Sequence, residues 1–176
     1  LAAVPLYPAA DDWGTTADID VPAPADIYPP RTGKPEYVQK MSNWFKGEDG
    51  QPVLKAPSQA TVKPHAGIHG ETLTDWVRQY HQGVLAIDEG VGRMMAALKE
   101  SGQLENTLVV FTADQGLSGG HAGYWAMGDH TRPLTAFDWT MTIPLIFHPP
   151  GHVESGRRNG MLVSNYYLLP RMLSIR

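Results

Sequence analysis

The chain has 176 residues, of which 42% are hydrophobic and 18% are charged, with a formal net charge of −4 and no cysteine. This length and composition predict a globular domain with a sizeable core and exclude an intrinsically disordered chain. The negative net charge excludes a general affinity for nucleic acid or anionic membranes. No apolar run approaches the roughly 18 residues that a membrane span needs. Because the chain has no cysteine, it forms no disulfide and no thiolate metal site.

Residues 1–70 contain ten of the fifteen prolines, which prevent a regular helix across most of this segment. We therefore predict an irregular, proline-rich surface segment of the same domain, with one short helix within residues 35–45. A structureless loop of this length is unusual inside a compact domain, which favours a segment that wraps around a larger one. An insertion that shapes a substrate pocket is the alternative interpretation.

Residues 71–101 carry the clearest helical pattern. Thr72 followed by Asp75 resembles a capping box, and Gly102 supplies the signal that ends the helix. Glycines inside the helix weaken it, and close packing against a sheet would explain Gly83, Gly90 and Gly92. Apolar residues recur at steps of three and four and form a single stripe: Leu73, Val77, Tyr80, Val84, Ile87, Val91, Met94 or Met95, and Leu98.

Two continuously apolar runs predict strands over residues 107–113 and 143–147, and their uniform apolarity is typical of a covered parallel sheet. Asp114 and Gln115 directly follow the first strand. Ligands of open α/β sheets bind beyond the carboxyl ends of the strands. Two adjacent oxygen donors on a glycine turn suit a hard divalent cation, and the alternative is an Asx-type turn that closes an ordinary strand.

The carboxyl-terminal part alternates between polar and apolar segments. A polar loop is predicted at residues 151–159 and a strand near residues 160–163. A short helix is predicted from residue 164 or 165 through residue 175, with Ser164 as its candidate N-cap and Pro170 inside it.

A series of sequence blocks follows in order along the second half of the chain: Tyr80, Asp88 and Gly92-Arg93, then Asn106-Thr107, Asp114-Gln115-Gly116, His121, Ile143-Pro144-Leu145-Ile146-Phe147 and Pro149-Pro150-Gly151. Their order and spacing resemble the catalytic domain of the sulfatase family, in the alkaline-phosphatase-like superfamily. The resemblance implies an α/β fold, a partial alkaline-phosphatase-like sandwich with a mostly parallel sheet covered by helices. Residues 71–176 then form the carboxyl-side part of a sulfatase-like catalytic domain, and residues 1–70 its surface segment.

The resemblance also implies a sulfuric ester hydrolase that needs a metal ion, with Ca²⁺ expected and Mg²⁺ as the other option. By position, Asp114 and Gln115 are metal ligands and His121 is a catalytic residue that contacts the sulfate or the leaving oxygen. The family's nucleophile is a formylglycine made from Cys or Ser in a C/S-x-P-x-R motif, which occurs nowhere in this chain. We therefore expect a fragment, inactive by itself, of a longer enzyme that supplies the formylglycine and the remaining acidic ligands.

This chain departs from the family at the sulfate-binding Gly-Lys pair, where it has Gly128-Asp129. His130 or Arg132 is the candidate replacement for the missing positive charge, and arginine suits a tetrahedral oxyanion. The implied substrate is a small-molecule or carbohydrate sulfate ester. Two alternatives stay open: a phosphodiesterase or phosphonate monoester hydrolase of the same superfamily, and a non-catalytic sulfatase-like binding protein, which the loss of the lysine favours.

Overall fold

A computed structural model describes residues 20–54, 72–125, 127–128, 134–149 and 155–174. Short 3-10 turns occupy Leu104–Asn106, His121–Gly123 and Asn165–Tyr167. None of the described helices is long and apolar enough to span a membrane. The other elements are, in chain order, α1 (Glu36–Gln39), β1 (Trp44–Lys46), β2 (Pro52–Leu54), α2 (Leu73–Glu100), β3 (Val109–Thr112), α3 (Asp138–Met141), β4 (Leu145–His148) and α4 (Leu168–Ser174).

Local hydrogen bonds set both ends of α2, as the sequence predicts. At the amino end, the Asp75 amide donates to Thr72 Oγ1 and the Thr72 amide donates to Asp75 Oδ2, both at 3.1 Å, which completes the capping box. At the carboxyl end, Gly102 adopts a φ of +68°, and the amide after it donates to the Leu98 carbonyl at 2.9 Å. A glycine is favoured there because other residues rarely adopt this left-handed conformation.

The apolar stripe of α2 is covered only near its amino end. Leu73 is 1% exposed and packs against Ile27 and Trp44. Among the described residues, a Cβ added at Gly90 or Gly92 would meet no atom within 4 Å, so the expected close packing is not observed at these two glycines, whereas Gly83 is buried. The remaining part of the stripe includes four exposed side chains: Tyr80, Val84, Ile87 and Met94.

The described strands form two sheets of two strands each, and both pairs run antiparallel. Strand β3 pairs with β4 in a register that places Val109 opposite His148 and Thr112 opposite Leu145. The mostly parallel sheet predicted from the sequence is therefore not confirmed by these strands. An apolar run indicates that a strand is suited to burial, but it does not define the direction of the neighbouring strand. The strands are also less buried than predicted, since Phe111, Ile146 and Phe147 are exposed.

Smaller predicted elements had mixed outcomes. The short helix expected within residues 35–45 is confirmed as α1, whereas the β1–β2 hairpin was not predicted. The strand predicted near residues 160–163 is wrong, because residues 157–164 have no regular structure. The terminal helix is confirmed as the turn at Asn165–Tyr167 followed by α4, although the Ser164 side chain makes no capping hydrogen bond.

The best-packed part of the structure joins residues 20–54 to the loop at residues 118–125. Two small clusters of buried side chains lie there: Ile27 with Trp44 and Leu73, and Val38 with Ala122 and Tyr124. Burial of such side chains is the main stabilising contribution to this junction. The junction holds in place the loop that carries His121.

Candidate active site

The turn after β3 presents Asp114 and Gln115 as exposed side chains. It is fixed by Gly116, whose amide donates to the Thr140 carbonyl at 3.0 Å. A Cβ at position 116 would lie 2.2 Å from the Trp139 carbonyl oxygen, a distance that no side chain tolerates. Glycine therefore allows this turn to pack directly against α3.

A cleft of about 440 Å³ opens beside this turn. Its far side is shaped by a second close approach, because a Cβ on Gly128 would lie 2.0 Å from the Thr135 carbonyl oxygen. The Thr135 amide also donates to the Gly128 carbonyl at 3.0 Å. The cleft is lined by Asp114, Gln115, Gly128, Leu134, Thr135, Ala136, Thr140 and Met141.

The oxygen donors on this cleft match the chemistry of a hard cation. Asp114 offers a carboxylate and Gln115 an amide carbonyl, and Ca²⁺ takes six to eight such oxygens. Within the described residues, no group of three or more His, Asp or Glu side chains is placed to hold a metal ion. The described part of the chain therefore offers two oxygen ligands of the kind that a calcium ion takes.

His121 occupies a tight turn between Gly120 and Ala122, which have φ values of +97° and +51°. Its Nδ1 lies 3.3 Å from Asp26 Oδ1. Its ring stacks on that of Trp139, with a centroid separation of 5.0 Å and an interplanar angle of 25°. The imidazole is thus held by a carboxylate at its edge and an indole on its face.

Trp139 connects the two candidate parts of the site. Its ring contacts His121, and its carbonyl oxygen packs against Gly116 in the turn after β3. His121 itself lines a second cleft, of about 290 Å³, which also involves His81 of α2. The metal-binding candidates and the histidine therefore lie on separate clefts, which α3 connects through the contacts of Trp139 with His121 and Gly116.

Arg31 organises the segment that faces His121. It is only 4% exposed, and burial lowers the pKa of its guanidinium while the nearby Asp26 carboxylate acts in the opposite direction. The guanidinium donates to four main-chain oxygens at 2.6–2.9 Å: those of Asp26, Ile27, Val38 and Met41. Charge-assisted bonds of this kind are stronger than those between neutral groups.

The model of the family described as Sulfatase matches residues 22–175, which is most of the chain. The chain belongs to the sulfatase family. This assignment confirms the resemblance that the order and spacing of the sequence blocks indicate.

Individual sulfatases match over most of this chain. An N-acetylglucosamine-6-O-sulfatase from Bacteroides thetaiotaomicron is 29% identical over 78% of the chain and 21% of that protein. The N-acetylglucosamine-6-sulfatase of Homo sapiens is 26% identical over 89% of the chain and 28% of that protein. The arylsulfatase K of Danio rerio is 31% identical over 80% of the chain and 27% of that protein. The chain thus spans between 21% and 28% of the length of these curated sulfatases.

A solved structure supports the same fold. It is a protein in complex with its substrate D-glucosamine-2-N,6-O-disulfate, and it superposes with a TM-score of 0.60 at 20% sequence identity. The similarity covers 88% of this chain and 38% of that chain. At this level of identity the match shows the fold, because the described elements are arranged as in that protein.

The structure describes three of the predicted site residues of this sulfatase. Asp114 and Gln115 lie together on one cleft, and His121 lies on the other. His130 and Arg132 lie outside the described residues, as does Asp129 at the position of the family's lysine.

Sequence reasoning missed the residues that hold this site together. Asp26 and Arg31 stand in the proline-rich segment, far from His121 along the chain, and no periodicity or spacing connects them to it. Trp139 lies in a segment for which no helix was predicted. Gly116 is the exception, because the sequence predicts it as the glycine of the turn that follows two polar residues at a strand end.

Proposed function

We propose that the complete protein is a metal-dependent sulfatase that hydrolyses a sulfate ester to inorganic sulfate and an alcohol. This chain then forms the carboxyl-side part of its catalytic domain. The observation that carries the proposal is the family match over residues 22–175, with Asp114 and Gln115 exposed on a cleft at the carboxyl end of β3. Ligand sites of α/β folds lie at this end of the strands.

In this proposal Asp114 and Gln115 give oxygen ligands to the metal ion. Ca²⁺ is preferred and Mg²⁺ is the other option, because both take oxygen ligands and the calcium shell tolerates an open, irregular site. When bound, the cation would offset negative charge on the sulfate oxygens. The remaining ligands and the formylglycine nucleophile belong to parts of the protein outside these residues.

The other site residues are assigned by their chemistry. His121 acts on the sulfate or on the leaving oxygen, as a general acid or a hydrogen-bond donor. Either His130 or Arg132 supplies the positive charge that the family obtains from lysine, since Asp129 cannot. The sheet of the complete domain is mostly parallel, and the exposed apolar face of β3 and β4 packs against its other elements.

We propose a sulfated amino sugar as the substrate class. Two of the three relatives above act on N-acetylglucosamine 6-sulfate according to their names, and the solved structure holds a glucosamine disulfate. These relatives support a carbohydrate 6-O-sulfate more strongly than a simple aryl sulfate. The proposal concerns the complete protein, because the chain spans a minor part of each relative.

The decisive assay uses the complete protein, purified without chelators. It is tested on 4-methylumbelliferyl N-acetylglucosamine 6-sulfate, p-nitrophenyl sulfate and bis-p-nitrophenyl phosphate. Its calcium content is measured by inductively coupled plasma mass spectrometry. We expect turnover of the sugar sulfate and about one calcium per chain. Asp114→Ala should lower kcat/KM by about 100-fold or more and release the calcium, whereas Asp49→Ala, in the exposed β1–β2 turn, should change neither.

Two outcomes would contradict this function. Hydrolysis of the phosphate diester without hydrolysis of either sulfate would identify a phosphodiesterase on the same fold. Calcium binding that depends on Asp114, with no turnover of any of the three esters, would identify a binding protein that has lost catalysis.

A further inference from the structure

The carboxylate of Asp26 is the charged group that contacts His121. Its Oδ1 lies 3.3 Å from His121 Nδ1, and the two side chains are 36% and 49% exposed. Ion pairs with this exposure contribute little to stability, so the contact between Asp26 and His121 contributes little to the stability of the fold. A carboxylate beside one ring nitrogen has a second effect, since it determines which nitrogen of the imidazole carries the proton.

Hydrogen bonds to main-chain oxygens fix the position of Asp26. The turn that contains it is closed by a bond from the Ile27 amide to the Pro24 carbonyl at 3.0 Å. The Asp26 carbonyl accepts a bond from Arg31 Nε at 2.6 Å. The same guanidinium donates to the carbonyls of Val38, in the last turn of α1, and of Met41, two residues after that helix, so the carboxylate is presented by a segment that is anchored at several points.

The turn that carries His121 is held by the same frame. Gly123 has a φ of +76°, and a Cβ there would lie 2.3 Å from Arg31 Nη2. The absence of a side chain therefore lets the buried guanidinium pack against this turn. The indole of Trp139 then fixes the plane of the His121 ring from one side. Both partners of the contact are thus positioned by one rigid arrangement.

We propose that Asp26 is a positioning residue for His121, whose carboxylate keeps the proton on Nδ1 and leaves Nε2 available to the substrate. This inference rests on the proposed function, because it assigns the nitrogen through which His121 acts on the sulfate ester. A carboxylate in this role orients the ring and fixes the nitrogen that carries the proton. Asp26 itself does not touch the substrate.

The test compares three forms of the complete protein labelled with ¹⁵N-histidine: wild type, Asp26→Ala and Asp26→Asn. Long-range proton–nitrogen spectra at about pH 8, where histidines are ordinarily neutral, report the tautomer of each ring. A His121→Gln variant assigns the signal. Glu48→Ala is the matched control, because it removes a carboxylate from the same segment at an exposed position in the β1–β2 turn.

We expect the Nδ1–H form of His121 in the wild type and a shift toward the Nε2–H form in both Asp26 variants. The kcat for the sulfate ester should fall by about 10- to 100-fold with KM changed by less than about twofold. Glu48→Ala should match the wild type in both measurements. Asp26→Asn keeps the shape of the side chain and therefore separates the effect of charge from that of packing.

An Nε2–H tautomer in the wild type would overturn the inference, as would an unchanged tautomer and kcat in Asp26→Asn. These outcomes differ from failure of the proposed function. A wild-type protein without sulfatase activity refutes the function, whereas the tautomer comparison still decides whether Asp26 sets the protonation of His121.

Discussion

Replacing Arg31 by methionine tests the frame on which the candidate site is built. The substitution keeps an unbranched side chain of moderate length and removes every hydrogen bond of the guanidinium. Four main-chain oxygens lose their donor, all of them within residues 26–41. The bonds to Ile27 and Val38 are buried, so water reaches these two oxygens only if the segment opens.

The expected magnitude follows from two opposing contributions. Each hydrogen bond to a charged group contributes about 1.5–3 kcal/mol, so four bonds give roughly 6–12 kcal/mol. Burial of the guanidinium cation, which has no bonded carboxylate, costs several kcal/mol, and the methionine variant avoids this cost because it buries no charge. We expect a net loss of about 3 kcal/mol in the free energy of opening this segment, which corresponds to more than about 100-fold faster amide exchange.

Hydrogen exchange followed by mass spectrometry of the complete protein measures this opening directly. Peptides that cover residues 26–41 and 118–125 should exchange faster in Arg31→Met, and peptides from the carboxyl-terminal half of α2 should be unchanged. Lys34→Met is the matched control, because it removes the same charge from an exposed side chain in the same segment, with an expected effect within about 0.5 kcal/mol. An equally small effect of Arg31→Met would refute the frame.

Three further substitutions address local features. Thr72→Ala removes the side-chain half of the capping box and should lower the free energy of unfolding by about 1 kcal/mol in urea titrations, whereas Thr72→Ser should not. Burial raises the pKa of Tyr124 above 10.0, so its contribution to stability is present below pH 10.0 and is lost as the pH rises further; Tyr124→Phe should flatten the alkaline decline in melting temperature. Gly116→Ala should weaken calcium binding more than about 10-fold in calorimetry, because its Cβ meets the Trp139 carbonyl, while Gly90→Ala should not.

The features that the sequence predicts correctly are those determined by nearby residues. Helix α2 has a 3.6-residue apolar period, and its capping box and terminal glycine are read within a few positions of each end. Strands β3 and β4 appear as apolar runs for the same reason. The hairpin of β1 and β2 was missed because its strands have three residues each, too few to show a period, although Asp49-Gly50 is a turn signal.

The direction in which strands pair could not be predicted from the sequence, because it depends on contacts between distant segments. The run at residues 108–111 gives the same apolar pattern whether its neighbour is parallel or antiparallel. The candidate site shows the same division. Asp114 and Gln115 follow a predicted strand and are therefore candidates from the sequence alone, whereas Asp26 reaches His121 only after the proline-rich segment has folded against the 118–125 loop.

The distribution of burial separates the structure into a well-packed part and an exposed part, and this separation bears on the function. The residues that frame His121 are buried and hydrogen bonded, as Arg31 shows. By contrast, Asp114 and Gln115 stand on an open cleft beside a sheet whose apolar side chains Phe111 and Ile146 are exposed. An exposed apolar surface beside Asp114 and Gln115 is consistent with the proposal that further residues cover this face and complete the metal site. The frame around His121 can therefore be tested by its rigidity, whereas the proposed metal site is tested by calcium binding.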